Sequence, residues 1–211
     1  MPAVPVRDPH FPVRMKIYDQ AYFDKWYRDG RHRVISSGVL ARKAALAVGL
    51  AEYYLGRPIR NVLDVGCGEG AWFKPLRALR PQATYLGLDS SEYAVARWGR
   101  QRKLRLASFG DLGQLRLGER YDLIICADVM HYLRAPELRR GLDGLVDQLE
   151  GLAYLEVYTT ADRLDGDMIG FQRRTPRWYR QVFAEAGLLS VGSQGWVGPR
   201  QAPWITAMEA G

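Results

Sequence analysis

The segment that most restricts what this chain can fold into is Asn61-Val62-Leu63-Asp64-Val65-Gly66-Cys67-Gly68-Glu69-Gly70. Its first five residues read as a buried strand, and three glycines at alternate positions then lead directly into a helical pattern over residues 71–80. Glycine tolerates φ > 0 and lets a ligand approach the backbone with no Cβ in the way. A strand turning this abruptly into a helix opens a βα unit. The rest of the chain repeats the unit, with strands expected at residues 85–89, 104–108, 121–127 and 152–158. Helices are expected at 91–102, 136–149 and 176–186, the last opened by a capping Thr175 with Pro176 at the first helical position and closed by Gly187. Apolar strands alternating with helices predict an α/β fold, a parallel sheet covered on both faces. Two final strand-like stretches, 188–197 and 204–209, flank Gly198-Pro199-Arg200-Gln201-Ala202-Pro203 and are expected to pair as an antiparallel hairpin.

Ahead of this core, four prolines within the first twelve residues predict an irregular arm. An aromatic cluster follows (Tyr18, Tyr22, Phe23, Trp26, Tyr27), then a helical pattern over 34–55 stopped by Gly56 and Pro58. The economical reading is a single domain over 1–211, with 1–57 an N-terminal arm and helices forming a lid and 58–211 the ligand-binding core. At 47% hydrophobic and 25% charged residues, the chain is neither disordered nor membrane-spanning in composition. No secretory signal is visible at the N-terminus. The two cysteines, Cys67 and Cys126, do not have the spacing of a disulfide framework, so a cytoplasmic location is expected. With three histidines and no clustered ligands, no metal site is expected. The net charge is +7, and 25 of the 30 basic residues are arginine. They are spread along the chain without a run, so nucleic-acid binding is not favoured on charge alone.

Ligands of open α/β sheets bind outside the carboxyl ends of the strands. Four segments converge there. The first is the glycine turn, whose spacing is G-x-G-x-G rather than the dinucleotide G-x-G-x-x-G, preceded by Asp64. Asp64 would repel a pyrophosphate and suits a ligand carrying an ammonium. The second is Asp89-Ser90, nineteen residues past Gly70, where an acid can accept both hydroxyls of a ribose. The third is Gly110-Asp111-Leu112, with an acid placed for an exocyclic adenine amine. The fourth is Ala127-Asp128-Val129-Met130-His131-Tyr132.

This constellation resembles the class I S-adenosylmethionine-dependent methyltransferases, the small standalone methyltransferase domains in particular. The resemblance covers about residues 58–160 and implies a Rossmann-like seven-stranded, mostly parallel sheet with helices on both faces, an antiparallel C-terminal hairpin and, in this chain, an N-terminal helical extension. It implies S-adenosyl-L-methionine as cofactor, with S-adenosyl-L-homocysteine as product. The contacts expected are Asp64, Gly66, Cys67 and Gly68 in the first motif, Asp89 and Ser90 at the ribose, Gly110, Asp111 and Leu112 at the adenine, and Ala127 and Asp128 after the fourth strand. Tyr22 and Trp26 are expected to close over the cofactor, since an aromatic face attracts a sulfonium. Arg33 is a candidate for its carboxylate.

For chemistry, His131 and Tyr158 are the candidate bases should the acceptor be a hydroxyl; a neutral amine needs little beyond orientation. The acceptor is expected to be an O or N of a small molecule, framed by the aromatic extension and the loop over 159–175. Two other readings stand beside this one. An RNA or other nucleic-acid methyltransferase would suit the basic charge, but no Asn/Asp-Pro-Pro-Tyr/Phe segment follows the fourth strand. A non-catalytic cofactor-binding partner would use the same fold without turnover. A monomer or homodimer is expected.

Overall fold

The strand and helix signals resolve into a seven-stranded sheet in a computed structural model that describes residues 16–29, 36–163 and 166–211. β1 (Asn61–Val65), β2 (Thr84–Asp89), β3 (Leu104–Leu106), β4 (Tyr121–Ala127) and β5 (Leu149–Glu156) are parallel to their neighbours. β7 (Gly195–Val197) runs antiparallel to β5 and to β6 (Leu189–Ser190), giving the order β3-β2-β1-β4-β5-β7-β6. The order reverses between β1 and β4, which opens a crevice at their carboxyl ends.

Successive strand residues point to opposite faces, so each central strand feeds two cores. Leu63 and Ile124 pack on one face under Leu138, Leu142 and Leu145 of α5 (Ala135–Gln148) and Tyr179, Val182 and Phe183 of α6 (Pro176–Glu185). Val62, Leu123 and Ile125 pack on the other, under Ala44, Ala47, Val48 and Ala51 of α2 (Ser37–Leu55) and Leu76 of α3 (Phe73–Leu79). α4 (Glu92–Arg102) adds Val95 and Trp98 to that second layer. The helix ends follow the sequence: Ser36 and Thr175 accept the N–H groups of Val39 and Trp178, and Gly56 closes α2 at φ 64°.

One expectation at the C-terminus is corrected. The hairpin does not join 188–197 to 204–209; it forms inside the first stretch. Gly192, Ser193 and Gln194 take φ of 78°, 48° and 65°, and this tight left-handed turn folds β7 back on β6. The second stretch holds a short 3-10 turn (Ala202–Trp204) and further turns, because Pro199 and Pro203 withhold the donors a ladder needs. β5 also begins three residues earlier than its apolar run suggested and ends at Glu156.

At the amino ends of the strands, Asp122 of β4 is buried and fully paired. Arg57 grips both of its oxygens at 2.6 and 2.8 Å, and the Arg60 N–H donates to it at 2.7 Å. This cluster fixes the entry into β1 against β4.

Candidate active site

The glycine turn sits at the carboxyl end of β1, and Gly66, Gly68 and Gly70 all adopt left-handed φ, 71°, 55° and 75°. Space matters as much as φ. A Cβ on Gly66 would stand 2.3 Å from a Val129 methyl, and one on Gly68 would stand 2.8 Å from the Tyr27 hydroxyl. Cys67 turns its thiol down into the core, and burial, then the nearby Asp64 and Asp89, push that thiol far above its ordinary range. It is an inert side chain with its backbone at the crevice.

Two buried carboxylates stand beneath this turn. Asp89, at the end of β2, accepts the Gly68 N–H at 2.7 Å and the Ser91 N–H at 2.8 Å. These occupy one lone pair on each oxygen and leave the others for hydroxyl donors. Asp64 accepts the Tyr85 hydroxyl at 2.6 Å. No Lys or Arg pairs with either among the described residues. Burial raises both acids, Asp64 up to about 7, with the Tyr85 bond opposing the rise and the Asp89 charge adding to it.

The N-terminal segment roofs the turn. Asp19 caps α1 (Gln20–Phe23), which widens into a π-helical turn over Asp24–Arg28. Phe23 is buried and stacks on Tyr93 of α4 at 5.7 Å, Arg28 pairs with Glu69, and Ser91 donates to the Tyr18 carbonyl at 2.6 Å. Tyr22 and Trp26 line the cavity, and Phe23 and Tyr27 are the rings set over Gly68. Arg33 lies outside the described residues.

The cavity at these strand ends measures about 690 Å³, within the range of small-molecule sites. Asp64, Gly66, Cys67, Gly68, Asp89, Ser90, Ala127, Asp128, His131 and Tyr158 all border it. Gly110, Asp111 and Leu112 do not. α5 presses the 109–114 turn closely through Gly141 and Gly144, where a Cβ would meet Phe109 and the Gly113 nitrogen at 2.1 Å in each case. Leu112 is thereby carried fully into the core, Gly110 lies against Glu137, and exposed Asp111 accepts the Ser108 hydroxyl at 2.5 Å.

His131 makes two polar contacts through its ring nitrogens. Its Nδ1 accepts the Tyr158 N–H at 3.4 Å, and its Nε2 faces Asp128 Oδ1 at 3.1 Å. The ring is buried, packed against Tyr132, Tyr158 and Phe171. The two polar contacts tie the ring to Asp128 and to the start of the post-β5 loop. Asp128 itself is held at φ 62°. Tyr158 is pushed up to about 12, by burial first and then by Glu156 and Asp128, so it donates hydrogen bonds rather than taking protons at neutral pH. Its neighbour Glu156 is buried, with both oxygens on Lys43 at 2.6 Å.

The sequence reading missed Lys16, Trp72 and Phe171. Lys16 contacts three tyrosines and Asp167 beside the cavity, while Trp72 and Phe171 form part of its wall. Nothing in their local sequence marks them, because each reaches the site from a different segment.

Residues 63–150 match the family described as Methyltransferase domain. The chain is 35% identical over 108 residues to trans-aconitate 2-methyltransferase of Deinococcus radiodurans, which covers 50% of this chain and 40% of that protein. It is 30% identical over 95 residues to nodulation protein S of Azorhizobium caulinodans, covering 44% and 46% respectively. The matched segments thus span less than half of either relative. A solved amino pentose methyltransferase of Micromonospora echinaspora, with S-adenosylmethionine bound, superposes with a TM-score of 0.58 at 20% identity over 89% of this chain and 97% of that one.

Proposed function

The chain carries the class I S-adenosylmethionine-dependent methyltransferase fold, and from that premise we propose that it transfers a methyl group to a nitrogen or oxygen of a small-molecule acceptor. When bound, the cofactor supplies the methyl group on an activated sulfonium. The observation that carries the reading is the pair of buried carboxylates, Asp64 and Asp89, beneath a glycine turn and, among the described residues, without a basic partner. A carboxylate that the protein leaves unneutralised suits a ligand bringing hydroxyl donors and a positive charge. Asp89, with Ser90, would hold the ribose hydroxyls, and the Gly66–Gly68 backbone would face the amino-acid end beside Asp64. Tyr22 and Trp26 would exclude water above it. Asp111 keeps its adenine role only if that turn moves away from α5.

The contact of the Tyr158 N–H with His131 Nδ1 and the donor character of Tyr158 favour a nitrogen acceptor. An amine attacks as its free base and releases its proton after transfer, so orientation suffices. Cys67 and Cys126 are free buried thiols, which supports a reducing, cytoplasmic setting. Among the described residues no helix is long and apolar enough to cross a membrane.

Calorimetry with S-adenosylmethionine and S-adenosylhomocysteine tests the cofactor, and methyl transfer to a panel of small amines and alcohols tests the activity. Transfer only to bulk RNA would overturn the small-molecule reading. Cofactor binding with no transfer to any acceptor would favour a non-catalytic partner.

A further inference from the structure

The chain ahead of α1 and the loop after β5 meet beside the cavity. There Lys16 Nζ lies 2.9 Å from Asp167 Oδ2, with the two side chains 11% and 8% exposed. The ammonium stands 3.5 Å from the centroid of the Tyr132 ring and 5.1 Å from those of Tyr18 and Tyr22. The Tyr132 hydroxyl donates to the Asp167 carbonyl at 2.8 Å, which ties two of the walls together. Three π faces and one carboxylate around a single cation are what an organic ammonium needs in order to leave water.

The walls have a second exposure. Tyr18, Tyr22, Tyr132 and Asp167 all border the cavity, whereas Lys16 does not; it enters the box from the N-terminal side. The cavity wall near the box also carries Asp128, whose charge acts on Lys16 together with that of Asp167. Burial works against the lysine's charge and lowers its pKa, with Asp167 and Asp128 opposing that fall. A cation arriving from the cavity side would meet the same rings and the same carboxylate.

We infer that the Tyr18–Tyr22–Tyr132–Asp167 box is the subsite for an aliphatic ammonium of the methyl acceptor, and that Lys16 fills it while no acceptor is bound. The inference rests on the proposed methyl-transfer function and adds the acceptor's chemical class. The competing role for Lys16 is a permanent latch that pins the N-terminal segment to the post-β5 loop.

n-Butylammonium, a lysine side chain cut at its Cα, separates the two. The test uses the full chain saturated with S-adenosylhomocysteine, so that failure of the methyltransferase reading registers first as absent cofactor binding. Lys16→Met keeps the packing on the rings and removes the charge. It should bind n-butylammonium at least tenfold more tightly than the wild type, and adding Asp167→Asn should abolish the gain. Equal affinity of wild type and Lys16→Met would overturn the inference, as would the same gain for uncharged n-pentanol. Should Lys16→Met fail to fold, the wild type still decides. The Lys16 methylene protons should be ring-current shifted by the tyrosines, and n-butylammonium should return them to ordinary positions. Lys16 shifts that stay fixed at high amine concentration would establish the latch instead.

Discussion

The two ends of the central strands each bury aspartate and treat it oppositely. At the amino ends, burial alone would raise Asp122, but the hydrogen bonds from Arg57 and the Arg60 N–H overcome this and hold it below the carboxylate range. At the carboxyl ends, Asp64 and Asp89 receive, among the described residues, only a tyrosine hydroxyl and backbone N–H groups, and burial wins. A carboxylate neutralised by the protein's own cation is part of the scaffold. One left without a counter-charge is strained toward the neutral acid, and a ligand that relieves the strain gains affinity from it.

Deleting the scaffold acid should have the largest effect. Asp122→Ala strands Arg57 and the Arg60 N–H, and we expect a loss of about 3 kcal/mol in urea unfolding, at the lower end for a buried pair because Arg57 is partly solvated. Affinity for S-adenosylhomocysteine should stay close to wild type; a large drop there would erase the distinction between the two ends. Asp89→Ala should do the reverse. Losing charged hydrogen bonds to the ribose corresponds to about 1.5–3 kcal/mol, or roughly ten- to a hundredfold in cofactor affinity by calorimetry. Unchanged affinity would remove Asp89 from the ribose.

Asp64 and Asp122 should also differ in the sign of their pH dependence. Asp122 titrates lower in the folded protein than in the unfolded chain, so its contribution is present above the unfolded value and fades as pH falls. Asp64 is raised from 3.8 to about 7, so the folded protein binds its proton more tightly. That contribution is full at low pH and is lost as pH rises through about 7, with a slope of at most about 1.4 kcal/mol per pH unit. Asp64→Asn keeps an acceptor for Tyr85 and should abolish this slope, gaining stability over wild type as pH rises to neutrality. Parallel unfolding curves for the two proteins across that range would show that Asp64 is already ionised. The smallest effect is expected for Asp111→Ala. The side chain is exposed beside Ser108, so stability and cofactor affinity should stay within about 0.5 kcal/mol. A tenfold loss of affinity would place Asp111 at the adenine after all.

Strand and helix placement was legible because burial on two faces demands continuous apolar strands, and because Thr175-Pro176 and the Gly66–Gly70 turn state their backbone geometry locally. The hairpin was misplaced for an equally local reason. The Gly192–Gly195 turn lies inside what reads as one strand, while the tempting Gly198–Pro203 break carries prolines unsuited to a ladder. His131 shows where residue identity runs out. Its position after β4 is explicit in the sequence, yet its partners, the Tyr158 N–H and the Asp128 carboxylate, set its chemistry, and one of them lies 27 residues away.

The sequence by itself determined the α/β sheet, the glycine turn and the acids at the strand ends, since each depends on periodicity or on the conformational freedom of neighbouring residues. Only the tertiary structure decided which acid is neutralised and which is left strained, that α5 draws Leu112 into the core, and that Lys16 lies in a box of three tyrosines and Asp167. Those outcomes depend on side chains brought together across up to 151 residues, where partners are set by packing and desolvation rather than by spacing along the chain.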